Sequence, residues 1–121
     1  MAHNHNKLEI WIKSVDLTIQ VIKALKNVEP HIWPLREQII RSAVSIPSNI
    51  AEGSERNTKK DFIRFLYISK ASNAELRSQL TILAGVDMKY IEFTQQAIPE
   101  LIEIAEMTQG FINRLEKQSH Q

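Results

Sequence analysis

The sequence predicts an all-α protein, an antiparallel up-down-up-down four-helix bundle. Three observations predict it. Apolar residues recur at steps of three and four along four separate stretches, the spacing of one helix face. The segments between those stretches are short, which makes consecutive helices antiparallel neighbours. Three glycines and four prolines interrupt a chain of 121 residues that is 43% hydrophobic, a bundle-like composition. A chain of this length buries a real core, so residues 1–121 read as a single domain with flexible tails at 1–6 and 117–121.

In the first helix Leu8, Ile12, Val15, Ile19 and Ile22 define one seam, with Asn6 as the expected N-cap. Pro30 and Pro34 end this helix and start the next. The second helix spans about 34–51 with Leu35, Ile39, Ala43, Ile46 and Ile50 inward and Gly53 as its stop. It keeps Pro47 in its interior, where proline deletes one backbone hydrogen bond. Ser45, Ser48 and Asn49 are the nearby groups expected to compensate. Thr58 with Asp61 resembles a capping box with Asp in place of Glu. The third helix then carries Phe62, Leu66, Ser69, Asn73, Leu76, Leu80 and Leu83 on a strict four-and-three seam ending at Gly85. Thr94 is the expected cap of a fourth helix, with Ile98, Leu101, Ala105, Ile112 and Leu115 inward. Pro99 is expected to bend it, and Gly110 to weaken it slightly.

Helix one has a second apolar stripe. At 100° per residue, Ile10, Leu17, Val21, Ala24 and Val28 fall opposite the Leu8–Ile22 seam, with Trp11 and Leu25 to one side. A four-helix bundle buries one stripe per helix. The second needs another partner, because large exposed apolar patches are uncommon in monomers. The expectation is a homo-oligomer with Ile10, Trp11, Leu17, Val21 and Val28 in the subunit interface. The alternative is that the loop carrying Trp33 folds back over this face.

No reaction chemistry stands out. There is no cysteine, which removes thiol nucleophiles, disulfides and Cys-based metal sites. Ser69, Ser72 and Asn73 interrupt the third seam, opposite Ser42, Ser45 and Asn49. They read as a hydrogen-bonded layer that fixes register. A nucleophilic serine would need a base, and His3, His5, His31 and His120 all lie at termini or in a turn. The His3/His5 pair has no third ligand near in sequence, and Glu52 and Glu55 read as solvated loop charge. No phosphate loop, zinc-protease helix or dinucleotide fingerprint is present. The expectation is no catalytic residue, metal, cofactor or small-molecule substrate. The N-terminus has no signal-peptide pattern and no run reaches a membrane span, which points to the cytoplasm and away from membranes.

The formal net charge of +1 is weak, but its distribution is uneven. Residues 36–77 hold eight Lys or Arg against five Asp or Glu, whereas the last helix leans acidic through Glu92, Glu100, Glu103, Glu106 and Glu116. Arg56, Lys59, Lys60 and Arg64 span the turn before helix three and its first exposed face, and Arg41 projects from helix two. A helix N-terminus beside these cations favours anions. These five residues form the candidate nucleic-acid-binding set, against the plainer reading of a solvated surface.

The segment Arg41-Ser-Ala-Val-Ser-Ile-Pro-Ser-Asn-Ile-Ala-Glu-Gly-Ser-Glu-Arg56, followed by Asp61-Phe-Ile-Arg-Phe-Leu-Tyr-Ile-Ser-Lys-Ala-Ser-Asn-Ala-Glu-Leu76, resembles the four-helix-bundle proteins also called 23S rRNA intervening-sequence proteins. Leu8-Glu-Ile-Trp11 fits their opening. The resemblance implies an antiparallel bundle assembled as a ring-shaped homopentamer, with a non-enzymatic role. It also brings in similar proteins that are accessory factors of diversity-generating retroelements, where they engage a reverse transcriptase and its RNA template. Arg41, Arg56 and the Pro47 segment match the motif, whereas Lys59, Lys60 and Arg64 come from charge alone. This chain departs from those accessory proteins in being nearly neutral. The expected function is an oligomeric scaffold binding structured RNA, or a nucleoprotein partner such as a reverse transcriptase, through a basic face. The alternative is a structural protein–protein module that binds no nucleic acid.

Overall fold

The computed structural model describes residues 4–119. Four helices, α1 (Glu9–Ala24), α2 (Trp33–Ser54), α3 (Lys59–Val86) and α4 (Ile91–Ser119), form an all-α four-helix bundle. Single 3-10 turns at His5–Lys7, Pro30–Ile32 and Met88–Tyr90 precede α1, α2 and α4. α2 and α3 pack most extensively, α1 lies against α2 and α4, and α4 closes on α3. The diagonal pairs stay apart. Among the described residues no helix is long and apolar enough to cross a membrane.

α3 folds as its spacing predicts. Phe62, Leu66, Ser69, Asn73, Leu76, Leu80 and Leu83 are all buried. Thr58 is the N-cap, its hydroxyl accepting the Asp61 N–H at 3.1 Å. Elsewhere the ends differ from expectation. α1 is capped at Leu8 without a side-chain bond, two residues beyond Asn6. α4 starts at Ile91, so Thr94 lies inside the helix, buried, and its hydroxyl donates to the Leu80 carbonyl at 3.3 Å. A 3-10 turn spans His5–Lys7, and α4 extends to Ser119. Residues 1–3 and 120–121, with His3 and His120, lie outside the described residues.

Gly53 does not stop α2. Its backbone is not left-handed, and the helix runs on through Ser54. A Cβ at Gly53 would meet the Phe65 Cβ at 2.8 Å and Phe62 Cδ1 at 2.9 Å. The glycine is there because α3 crosses too close for any side chain. Gly85 likewise lies within α3, which ends one residue later, beside open space.

Pro47 is buried within α2 and removes the N–H that would pair with the Ala43 carbonyl. The replacement donor comes from α1. Thr18 Oγ1 lies 3.0 Å from the Ala43 oxygen and 2.7 Å from the Ser14 oxygen of its own helix, so one proton is shared between two carbonyls. Asn49 bonds back to Ser45, and Ser69 Oγ donates to the Ile46 carbonyl at 2.9 Å. Ser45 and Ser72 pair at 2.8 Å, and Asn73 Nδ2 reaches the Leu101 carbonyl at 2.8 Å. This is the polar layer, in which the Thr18–Ala43, Ser69–Ile46, Ser45–Ser72 and Asn73–Leu101 bonds span two helices.

α1 is rotated relative to its expected orientation. Ile10, Leu17, Val21 and Val28, assigned by sequence to a subunit interface, are in the bundle's own core, with Leu17 only 2% exposed. Trp11 is partly buried against that core and meets the His5 ring edge-on at 5.0 Å. The supposed inner seam faces out, with Ile12 50%, Ile19 46% and Ile22 39% exposed. Both stripes are apolar at helical spacing, so periodicity alone does not orient the helix. The inner face also carries Ser14 and Thr18, whose hydroxyls can enter the core because carbonyls receive them. Trp33 does not cover the outward face; it is itself exposed and stacks on Arg36.

Candidate nucleic-acid interface

The turn between α2 and α3 brings Arg56, Lys59, Lys60 and Arg64 together, because α2 ends at Ser54 and α3 restarts at Lys59. Phe65 organises its arginines. The Arg56 guanidinium carbon is 4.7 Å and that of Arg64 4.5 Å from the Phe65 ring centroid. Cation–π contact holds two planar, donor-rich groups against one ring. Each also has a carboxylate on its own helical turn. Arg56 pairs with Glu52, and Arg64 Nε lies 3.3 Å from Asp61 Oδ1. Exposed pairs of this kind are worth about 0–1 kcal/mol.

Lys59 and Lys60 have no ion-pair partner among the described residues. They open α3, where the helix dipole adds positive potential. His5 reaches this turn from the N-terminal side, its Nδ1 3.5 Å from Ser54 Oγ and 3.9 Å from Glu55 Oε1. Four cations here face Glu52, Glu55 and Asp61, which keeps the local excess small.

Arg41 does not join this set. It lies fifteen residues before Arg56 in sequence, roughly 20 Å up the bundle. There it lines a polar cleft between α2 and α3 with Gln38, Ser45, Ser72, Glu75 and Gln79. Among the described residues there is no group of three or more His, Cys, Asp or Glu placed to hold a metal. Sequence reasoning missed another cationic group, Lys23, Lys26 and Lys89, which meets at the opposite end of the bundle. Lys23 and Lys26 are neighbours in sequence, but only the return of α4 beside α1 brings Lys89 to them.

The model of the family described as 23S rRNA-intervening sequence protein matches residues 6–110. The chain belongs to this family. Among solved structures, it is similar to a protein of unknown function from the S23 ribosomal protein family of Bacteroides thetaiotaomicron. The two are 24% identical and superpose with a TM-score of 0.73 over 85% of this chain and 97% of the other, a likeness of fold. No curated protein matches the chain. For this family member, the long motif from Arg41 to Arg56 now has a structural content. It holds the buried proline, the polar layer, the close approach at Gly53 and the first arginine of the turn.

Proposed function

We propose that this chain is a non-enzymatic, oligomeric scaffold in the bacterial cytoplasm that binds nucleic acid through a basic face. Structured RNA is the favoured ligand, alone or with a nucleoprotein partner such as a retroelement reverse transcriptase. The observation that carries this reading is the α2–α3 turn. Two arginines lie against one phenylalanine, and two unpaired lysines open the following helix. Phosphates satisfy both features at once, and a ring of subunits would repeat the weak contact as effective concentration.

Assembly into a ring, a homopentamer by family resemblance, draws support from two uncovered apolar faces. One is Ile12, Ile19 and Ile22 on α1; the other is Ile82 with Val86, one turn apart near the close of α3. They lie on diagonal helices, and two different faces on one subunit suit head-to-tail contact, which generates a ring when the rotation closes. The same faces favour the second reading, a protein–protein module without RNA.

Salt separates the two readings. RNA binding must weaken steeply as salt rises, whereas apolar docking should not. Arg56→Glu with Lys60→Glu is expected to abolish binding of a structured RNA without changing the oligomer mass. A titration with each protein at two salt concentrations, with light scattering in the same buffer, checks this. Unchanged affinity in the double variant counts against the turn.

A further inference from the structure

The end of the bundle opposite the α2–α3 turn has a concavity of about 410 Å³ between the close of α1 and the start of α4. Lys23, Lys26 and Lys89 line it, half-buried Phe93 supplies aromatic surface, and the ring of Tyr90 is buried beneath. Lys23 sits in the last turn of α1, Lys26 just beyond it, and Lys89 in the 3-10 turn Met88–Tyr90. No carboxylate lines this concavity. None of the three lysines has an ion-pair partner among the described residues. The Asp87 carboxylate, next in sequence to this turn, accepts the Lys89 backbone N–H at 3.0 Å. The Lys89 ammonium lies 5.2 Å from the Tyr90 ring centroid.

Three other concavities among the described residues mix charges of both signs. Between α1 and α4, further down, Lys13 shares its hollow with Asp16, Glu100 and Glu103 and pairs with Glu103 at 3.2 Å. The α2–α3 cleft sets Arg41 with Glu75. A hollow lined by one sign of charge focuses its field on whatever enters. Three ammonium groups offer donors to a phosphate from several directions, and the aromatic wall accepts a flat ring.

We infer that this end binds a nucleotide unit, its phosphate held by Lys23, Lys26 and Lys89 and its base or sugar against Phe93. The inference rests on the RNA reading, for which it supplies a second contact. α3 runs between the two ends, so they lie roughly 40 Å apart on one subunit. One subunit then grips a strand at both ends of its bundle.

The test uses the full chain and the variant Lys23→Gln/Lys26→Gln/Lys89→Gln, with thermal unfolding to establish that both are folded. Photo-crosslinking with 8-azidoadenosine 5′-monophosphate is expected to label the segment around Tyr90 and Phe93. Adenosine 5′-monophosphate should compete, adenosine should not, and the variant should lose labelling about tenfold or more. No labelling, labelling that maps to the α2–α3 turn, or labelling that survives the substitutions overturns the pocket. With a single-stranded RNA oligomer, the slope of log affinity against log salt should be shallower by about 0.7 in the variant, for one lost phosphate contact. An unchanged slope overturns the strand contact. If the wild-type chain binds no RNA, the scaffold reading fails and the photolabel alone decides the pocket.

Discussion

α3 and α1 are both amphipathic, yet only α3 has its orientation written in its own sequence. Along α3 one seam keeps strict four-and-three spacing over seven positions, Ser69 and Asn73 among them, and every seam position is buried. Along α1 two apolar stripes compete, and the buried one contains Ser14 and Thr18. The difference teaches that periodicity establishes a helix, while a second apolar stripe hands the choice of inner face to the neighbouring helices. In α1 the bond that ties the chosen face to a neighbour is Thr18 to the Ala43 carbonyl, while Ser14 bonds to Ile10 within its own helix. The stripe left outside is then available for another subunit.

The sharpest way to break this comparison is to place a charge on each stripe of α1. Val21→Asp buries an unpaired carboxylate and is expected to cost roughly 4 kcal/mol or more, enough to unfold a marginal domain. Ile19→Asp is expected to change the stability of the single bundle by less than about 0.5 kcal/mol while lowering the oligomer mass. Urea denaturation and light scattering check the pair. If Ile19→Asp unfolds the chain and Val21→Asp does not, the inner face has been assigned wrongly.

Next in size is Gly53→Ala. The added methyl must displace α3 at Phe62 and Phe65, at an expected cost of about 1–3 kcal/mol. Were Gly53 only a helix stop, alanine at a position whose backbone is not left-handed would be neutral or mildly stabilising. Chemical denaturation distinguishes the two signs.

The smallest effect is the most specific. Thr18→Val leaves the Ala43 carbonyl without its donor and is expected to cost about 1–2 kcal/mol. In a Pro47→Ala background residue 47 regains its N–H, and Thr18→Val should cost less. A double-mutant cycle measures that coupling. Zero coupling would mean that Thr18 does not compensate Pro47.

What was legible in the sequence follows a physical line. The α3 seam and its Thr58 cap were readable because each depends on residues within one or two turns. The grouping of Arg56, Lys59, Lys60 and Arg64 was readable for the same reason. Gly53 was misread because a glycine near a helix end serves either backbone conformation or close packing, and only the crossing of α3 decides. Thr94 reads as a cap because its hydroxyl suits one, but Leu80 on α3 offers the carbonyl it uses. Thr18 was missed as the partner of Pro47 because its carbonyl is twenty-five residues away in sequence. Lys89 joins Lys23 and Lys26 only through the return of α4.

The hydroxyl that Thr18 lends to α2 also makes sequence drift directional. Losing Pro47 first restores a backbone donor, after which Thr18 is free to vary. Losing Thr18 first strands a buried carbonyl beside a proline that cannot serve it. The two positions, on different helices, therefore form one heritable unit with a preferred order of change.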